Sequence, residues 1–242
     1  MTRGHAAATV GGMAMAGEGV LAFWHDVVPG GEGEFDRWHL REHIPERLAV
    51  PGFLRARRYT TLGAPPRYFY FYETASLDTL QSPAYLARLA DPTPWTRRSM
   101  PLVRNNIRTA CRVVASLGAA MGGVMATIQI GPRPGFEAEL RSWLSTTILP
   151  SAAEAQGIVA SHLLEGDAGV STAAKSDEKK LLATPDALVS WVTLIEGIDA
   201  EAVEAACRSL LAPEALTRHG AADGATPGLY RLQLVLRGPT TG

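Results

Sequence analysis

His39, Glu42 and His43 follow one another as H-x-x-E-H within DRWHLREHIPERLAVPGF, residues 36 to 53. This is the order in which one class of zinc peptidases presents two metal ligands and a general base. Positions i and i+4 of a helix share a face, so both imidazoles could reach one ion with Glu42 beside them. Such a peptidase also needs a third ligand, a carboxylate on another helix, and a large substrate chamber. Pro45 stands two residues after His43 and disfavours helical geometry at Ile44, so the helix should kink or end there. Without a metal, Phe35, Trp38 and Leu48 pack on a sheet while His39, Arg41 and Glu42 face water. His43 lies half a turn off the stripe of Trp38 and turns toward the end of the fold. A neutral imidazole there is suited to general acid or base work near pH 7, and a satisfied structural histidine is the other reading. We assign no metal.

The elements that position these residues occur twice. Laying Trp143 on Trp38, an offset of 105, also brings Pro134 onto Pro29, Gly135 onto Gly30, Glu139 onto Glu34, Pro150 onto Pro45 and Gly157 onto Gly52. So many coincidences of uncommon residues at one ungapped shift indicate a duplication. Each half reads strand, helix, two strands, helix, strand. The first runs GVLAFWHDV, EFDRWHLREHIPERLA, FLRARRYTTL, RYFYFYE, SLDTLQSPAYLARLA and, after a long loop DPTPWTRRSMPLVRNN, IRTACRVVASL. In the second half a polar stretch at 167–186, DAGVSTAAKSDEKKLLATPD, replaces the short GAPP connection and is expected as a flexible excursion. The boundaries expected are a disordered leader at 1–18, one repeat at 19–120 and another at 121–242.

Tyr68, Tyr70 and Tyr72 alternate with Phe69 and Phe71, so both faces of that strand carry aromatic surface. The economical arrangement packs the two antiparallel sheets face to face, as an α+β barrel of two tandem ferredoxin-like βαββαβ units with helices outside. A small ligand then fits between the sheets or between a sheet and its helices.

W-H-x-x-x-H-I-P-E-R-L-x-x-P-G-F from Trp38 to Phe53, followed by Arg57-Arg58-Tyr59, resembles the EthD-like branch of the dimeric α+β barrel superfamily. The likeness covers residues 19 to 118 directly and 122 to 237 through the repeat. It implies a barrel assembled from two ferredoxin-like units, here supplied by one chain. Superfamily members include isomerases, cyclases, cofactor-free monooxygenases and haem enzymes, so fold does not choose the chemistry.

Differences between the repeats point to a site in the first half. His43 and His39 face Ile148 and Leu144 in the second copy, Trp24-His25-Asp26 faces Gln129-Ile130-Gly131, and Arg57 and Arg58 face His162 and Leu163. A residue needed only for folding is replaceable by an apolar one, as the second copy does. We therefore expect His43 as acid or base, Arg57 or Arg58 for a developing oxyanion, and Trp24, His25, Tyr70, Tyr72 and Trp95 around the ligand, with Trp95 on a proline-rich lid. The bland counterparts are a rim arginine, a core tyrosine stripe and a tryptophan plug.

The chain has 242 residues, 46% of them hydrophobic, and 23 basic against 24 acidic residues. That balance offers no footprint for nucleic acid or an anionic membrane, and no apolar run is long enough to span a bilayer. Cys111 and Cys207 read as separate thiols in a reducing compartment, and a cytoplasmic location is expected. No Walker loop, G-x-S-x-G or dinucleotide fingerprint occurs. The function expected is binding of a small apolar or aromatic molecule, with cofactor-independent proton transfer (isomerase, cyclase or dehydratase) if catalytic. A non-catalytic protein with a closed core is the alternative, and a haem enzyme using His43, His25, His162 or His219 is a second. Either a monomer with an internal pseudo-dimer or a homodimer fits.

Overall fold

A computed structural model describes residues 15–173, 177–183 and 186–239. Its strands are β1 (Gly19–Val27), β2 (Phe53–Thr61), β3 (Tyr68–Thr74), β4 (Val103–Gly118), β5 (Val124–Ile130), β6 (Ile158–Gly166), β7 (Trp191–Gly197) and β8 (Thr226–Arg237). They close into one antiparallel barrel in the order β1-β3-β2-β8-β5-β7-β6-β4. The last strand of each half crosses to the other, β4 pairing with β6 and β8 with β2. The two sheets are thus joined edge to edge rather than only stacked, and no open strand edge remains.

The duplication is visible in the backbone. β1 and β5 begin 105 residues apart, as do β2 and β6, whereas β3 and β7 begin 123 apart because of the insertion. Gly30 and Gly135 share a positive φ of 83° and 87°, and Gly52 and Gly157 share 90° and 77°. Only glycine adopts that region without strain, which is why these pairs punctuate both repeats.

In the first half α1 (Glu32–Trp38) runs through a π-helical turn at His39–His43 into α2 (Ile44–Leu48), and in the second α5 (Glu137–Trp143) runs through a π turn at Leu144–Ile148 into α6 (Leu149–Ala153). Ile44 N–H donates to His39 O and Leu149 N–H to Leu144 O, each bond spanning five residues. Pro45 and Pro150 follow immediately. Proline cannot donate and its ring crowds the carbonyl four residues back, so the wide turn accommodates it without ending the helix. The kink expected at His43 is therefore a π turn.

The expected loop at 91–106 contains α4 (Pro94–Ser99), entered through Thr93, whose hydroxyl accepts from Thr96 N–H at 3.0 Å. The following helix of the first half is split, with a 3-10 turn at Leu77–Gln81 before α3 (Pro83–Ala90). α7 (Ala168–Ala173) lies within the insertion, and α8 (Ala200–Leu210) and α9 (Pro213–Arg218) complete the second half. Of the expected leader, Met15 is 2% exposed in the barrel interior, Ala16 and Gly17 are half-buried and Glu18 is exposed. The remainder of that leader lies outside the described residues. Among the described residues no helix is long and apolar enough to cross a membrane.

Residues 20, 22 and 24 of β1 and 69 and 71 of β3 fill the barrel interior with Tyr59, Met125, Val192 and Leu194. Residues 21 and 23 of β1, with 70 and 72 of β3, face the helices. This period of two sorts the aromatic strand into two separate layers.

Candidate functional site

The barrel interior carries a charged cluster. Arg57 donates to Glu73 at 2.8 Å and to Glu196 at 2.7 Å, and Arg55 holds Glu73 by two bonds of 2.7 Å. His162 Nε2 donates to Glu196 at 2.9 Å, with Ser116 Oγ 2.9 Å from its Nδ1. Glu73 and Glu196 are equivalent positions of β3 and β7, so the cluster straddles the pseudo-symmetry axis. Burial pushes the Glu196 carboxyl up, but the His162 bond and the Arg57 charge outweigh it and hold it at about 2. These charges satisfy one another and tie the halves together. Arg57 thus belongs to an ion-pair network and not to an oxyanion site.

Trp24 also points inward. It stacks on Phe69 at 4.9 Å and donates to Thr127 Oγ1 at 3.3 Å. As neighbours of His25 and Arg58 on alternating strands, Trp24 and Arg57 project through the opposite face of the sheet. They cannot share a pocket with His43, which corrects two of the expected site residues.

The helix-facing layer of the first half is where the polar groups collect. His39 and His43 are both buried against the sheet. The expectation that His39 faces water fails because the π turn rotates the helix by about one extra residue between Trp38 and Ile44, bringing His39 onto Tyr70 with ring centroids 4.4 Å apart. His43 packs on Trp38 at 4.5 Å and lies 5.5 Å from His39. His25 lies beside Tyr68 and Tyr70 at 5.3 and 5.5 Å, its Nδ1 3.0 Å from the Asp26 carbonyl. Neither ring nitrogen of His39 nor His43 Nδ1 has a hydrogen-bond partner among the described residues.

These imidazoles are neutral. Burial lowers the His25 pKa to about 4, and burial, reinforced by Arg47 and His25, holds His43 well below its ordinary range. For His39 burial acts with Arg58 and His43 in the same direction. The Tyr70 and Tyr72 phenols are pushed up by burial and stay protonated.

His43 lines a cavity of about 30 Å³ with Trp38, Arg47, Tyr70, Tyr72 and Tyr85, and Arg108, Asn106 and Phe23 close its other side. Its outer wall is the insertion, through Glu178, Lys179, Leu182 and Asp186. Among the described residues of this segment, several bond to the first half. Glu178 accepts an ion-paired bond from Arg47, Lys179 Nζ donates to Ser171 O at 2.9 Å, Ser171 Oγ accepts from Ala110 N–H at 2.9 Å, and Asp186 accepts from Asn106 at 2.7 Å. The second half thus lends a strap that covers the first half's site.

β4 is bulged at this point. Trp24 pairs with Ile107 and Asp26 with Arg104, so Asn105 and Asn106 together oppose His25. Asn105 takes φ 52°, a left-handed value asparagine tolerates better than most residues. Bulges re-aim side chains beside functional sites, and here Asn106 reaches the cavity. The equivalent β5–β8 pairing in the second half has no register shift.

Of the residues expected at the site, His43, Tyr70 and Tyr72 line the cavity and His25 lies behind Tyr70 on the same face. Arg58 is on that face but pairs with Asp36 and lies over Phe35 and Tyr68. Trp95 is outside, donating to Glu34 at 2.7 Å from α4, and the lid expected there is supplied by the insertion instead. Glu42 accepts from Thr93 Oγ1 at 2.6 Å and serves α4. Among the described residues no group of three or more His, Cys, Asp or Glu is arranged to hold a metal ion. Sequence reading missed Arg47, Arg108, Tyr85 and Glu178. Arg47 was findable, since the repeat places Ala152 opposite it, whereas Glu178 sits in a stretch with no counterpart.

In this structure the cavity beside His43 is closed to any ring, haem included. A cavity of about 30 Å³ holds about one or two waters and is far below the ~300–1,000 Å³ of small-molecule pockets. His162 is committed to Glu196 and Ser116, and His219 stacks on Trp143 at 4.3 Å. A larger depression of about 650 Å³ lies between α6 and α8, but it is an open groove among alanines and serines whose carboxylates are Asp199, the N-cap of α8, and Glu201 in its first turn. Cys111 and Cys207 are both free thiols.

No family model matches this chain, and no curated protein matches it. Solved structures of the same shape exist. A crystallised anthrone oxidase-like protein superposes with a TM-score of 0.61 at 13% identity, over 91% of this chain and 92% of that one. A candidate monooxygenase from Lactobacillus acidophilus NCFM gives 0.58 at 8% identity, over 91% and 97%. A candidate chlorite dismutase gives 0.55 at 13%, over 90% and 95%. At such identities the likeness is one of fold: the chain is an α+β barrel of ferredoxin-like units, the architecture of the dimeric α+β barrel proteins, completed here by two halves of one polypeptide.

Proposed function

We propose that the first-half layer binds a small aromatic, enolisable molecule and moves a proton on it, as a cofactor-independent isomerase, cyclase or dehydratase of EthD-like type. The observation that carries this reading is His43: a neutral, buried imidazole in an aromatic cavity that Arg47 and Arg108 also line, at a position the other repeat fills with Ile148. A base kept neutral by burial is ready to accept a proton, and the carbanion formed delocalises as an enolate, whose oxygen the guanidiniums would stabilise. Arg47 and Arg108 take the role first expected of Arg57 and Arg58. Tyr70 and Tyr72, held protonated, donate rather than accept.

Entry of any ring requires the side chains of 178–182 to move off the cavity, since its present volume admits only water-sized groups. That movement would exclude bulk solvent again on closure.

The test is deuterium exchange at the enolisable carbon of 2-tetralone and of phenylpyruvate in D2O. Acceleration by the wild type of at least one compound, lost in His43→Gln, is expected. No acceleration of either, or acceleration unchanged in His43→Gln, would contradict the proton-transfer role. The alternative reading is a barrel that binds without catalysis, and binding without exchange would select it.

A further inference from the structure

We infer that the ligand of this cavity is an aromatic carboxylate and that Glu178 occupies the place of its anionic group on Arg47. This rests on the reading of the cavity as a binding site and adds the charge of what it takes.

Arg47 is 2% exposed and bonded to Glu178, with Glu46 at 3.4 Å. A guanidinium taken out of water requires a carboxylate or an equivalent acceptor. The closer of these two partners is not part of the repeat: Glu178 arrives on the insertion, a segment with no counterpart in the first half, while Glu46 on Arg47's own helix is shared with Arg88 at 2.9 Å. The site is thus built around a cation whose closer counter-charge is removable and whose other one is shared with Arg88.

Arg108 makes the same point independently. It is buried in the same cavity, yet it donates to two neutral acceptors, Ser171 O and Tyr85 Oη, each at 3.1 Å. No carboxylate lies within ion-pair distance of it among the described residues. Lys179 adds a third cation, its pKa lowered to about 8 by burial and by Arg108. Glu178 and Asp186 line the cavity with them, and Glu46 also pairs with Arg47. Lifting Glu178 off Arg47 leaves that guanidinium with Glu46 on one nitrogen and its other nitrogen open to a new acceptor, next to Arg108 on neutral acceptors, and a planar carboxylate matches a guanidinium by paired hydrogen bonds. Phe23, Trp38, Tyr70 and Tyr85 surround that wall with rings, which supply the aromatic part of the preference.

Titration calorimetry with 2-naphthoate and its neutral isostere 2-naphthamide tests this on the full chain. The wild type is expected to bind naphthoate at least tenfold more tightly than naphthamide. In Glu178→Gln, which removes the internal competitor, naphthoate should gain a further tenfold while naphthamide changes less than threefold. Equal binding of the two ligands by the wild type overturns the carboxylate inference and leaves the aromatic site standing. Selective binding that Glu178→Gln does not tighten overturns the role of Glu178. Failure of both ligands to bind folded wild type and folded Glu178→Gln overturns the reading of the cavity itself. Should Glu178→Gln fail to fold, the wild-type comparison still decides the charge.

Discussion

His25, His39, His43 and Arg47 line the helix–sheet layer of the first half, where the second half has Ile130, Leu144, Ile148 and Ala152. Both layers sit on equivalent strands, turn through an equivalent π-helical step before a proline and end at an equivalent left-handed glycine. The second is packed with aliphatic side chains contributed by β5, α5, α6 and α8. The first holds buried imidazoles with unmet ring nitrogens. Since one copy shows that the backbone needs none of these polar groups, their burial is a cost in stability that the fold does not require.

The halves share the interior, so the largest effect is expected there. Arg57→Met leaves Glu73 and Glu196 facing one another without their common partner, which should cost about 3–5 kcal/mol. Urea unfolding should show one cooperative transition shifted as a whole. Two separated transitions would break the idea that this cluster ties the repeats together.

Acid should act on the first half before the second. A histidine with a folded pKa near 4 and an unfolded value of 6.5 binds its proton more readily in the unfolded chain. Stability is therefore fully present above pH 6.5 and falls as the pH drops toward 4, by about 3 kcal/mol for His25 alone. His39 and His43 act with the same sign. His25→Leu should flatten the slope of stability against pH in this window, and amide exchange should quicken first at 32–48 and not at 137–153. Equal quickening in both segments would contradict the asymmetry.

Reciprocal substitutions sharpen it. Ile148→His places an unmet polar ring in a packed aliphatic layer and should cost about 3 kcal/mol. His43→Ile should leave stability unchanged or slightly raised, by under about 1 kcal/mol, because the backbone already accommodates isoleucine at the equivalent turn. Chemical denaturation of the two variants checks both values. The smallest effect concerns helix entries, where the halves should respond alike. Ser82→Ala and Asp199→Ala each remove a side chain that caps the following helix, accepting from Tyr85 at 3.2 Å and Ala202 at 2.8 Å. Each should lower stability by about 1 kcal/mol in thermal melts.

Much of the architecture was legible because duplication and period-two alternation are written in residue types. β1, β5 and β6 have the bounds that GVLAFWHDV, VMATIQI and IVASHLLEG give. The π turn was not legible, since no residue pattern marks a five-residue hydrogen bond except the proline after it, and so His39 was assigned to water. Trp24 and Arg57 were grouped with His43 by polarity contrast between the copies, which ignores that alternate residues on a strand face opposite layers. The closure of the site by 177–183 was hidden because a strap held by ion pairs and backbone bonds has no apolar periodicity.

The central claim, that the first layer is a site and the second a core, is tested most directly by giving the first the residues of the second. A His39→Leu/His43→Ile double variant and the wild type would be compared in thermal shift against a panel of aromatic acids, phenols and ketones. The account predicts that at least one compound raises the wild-type Tm, and that the double variant melts no lower than the wild type and responds to none. A double variant that unfolds, or that keeps the wild-type response, would contradict it.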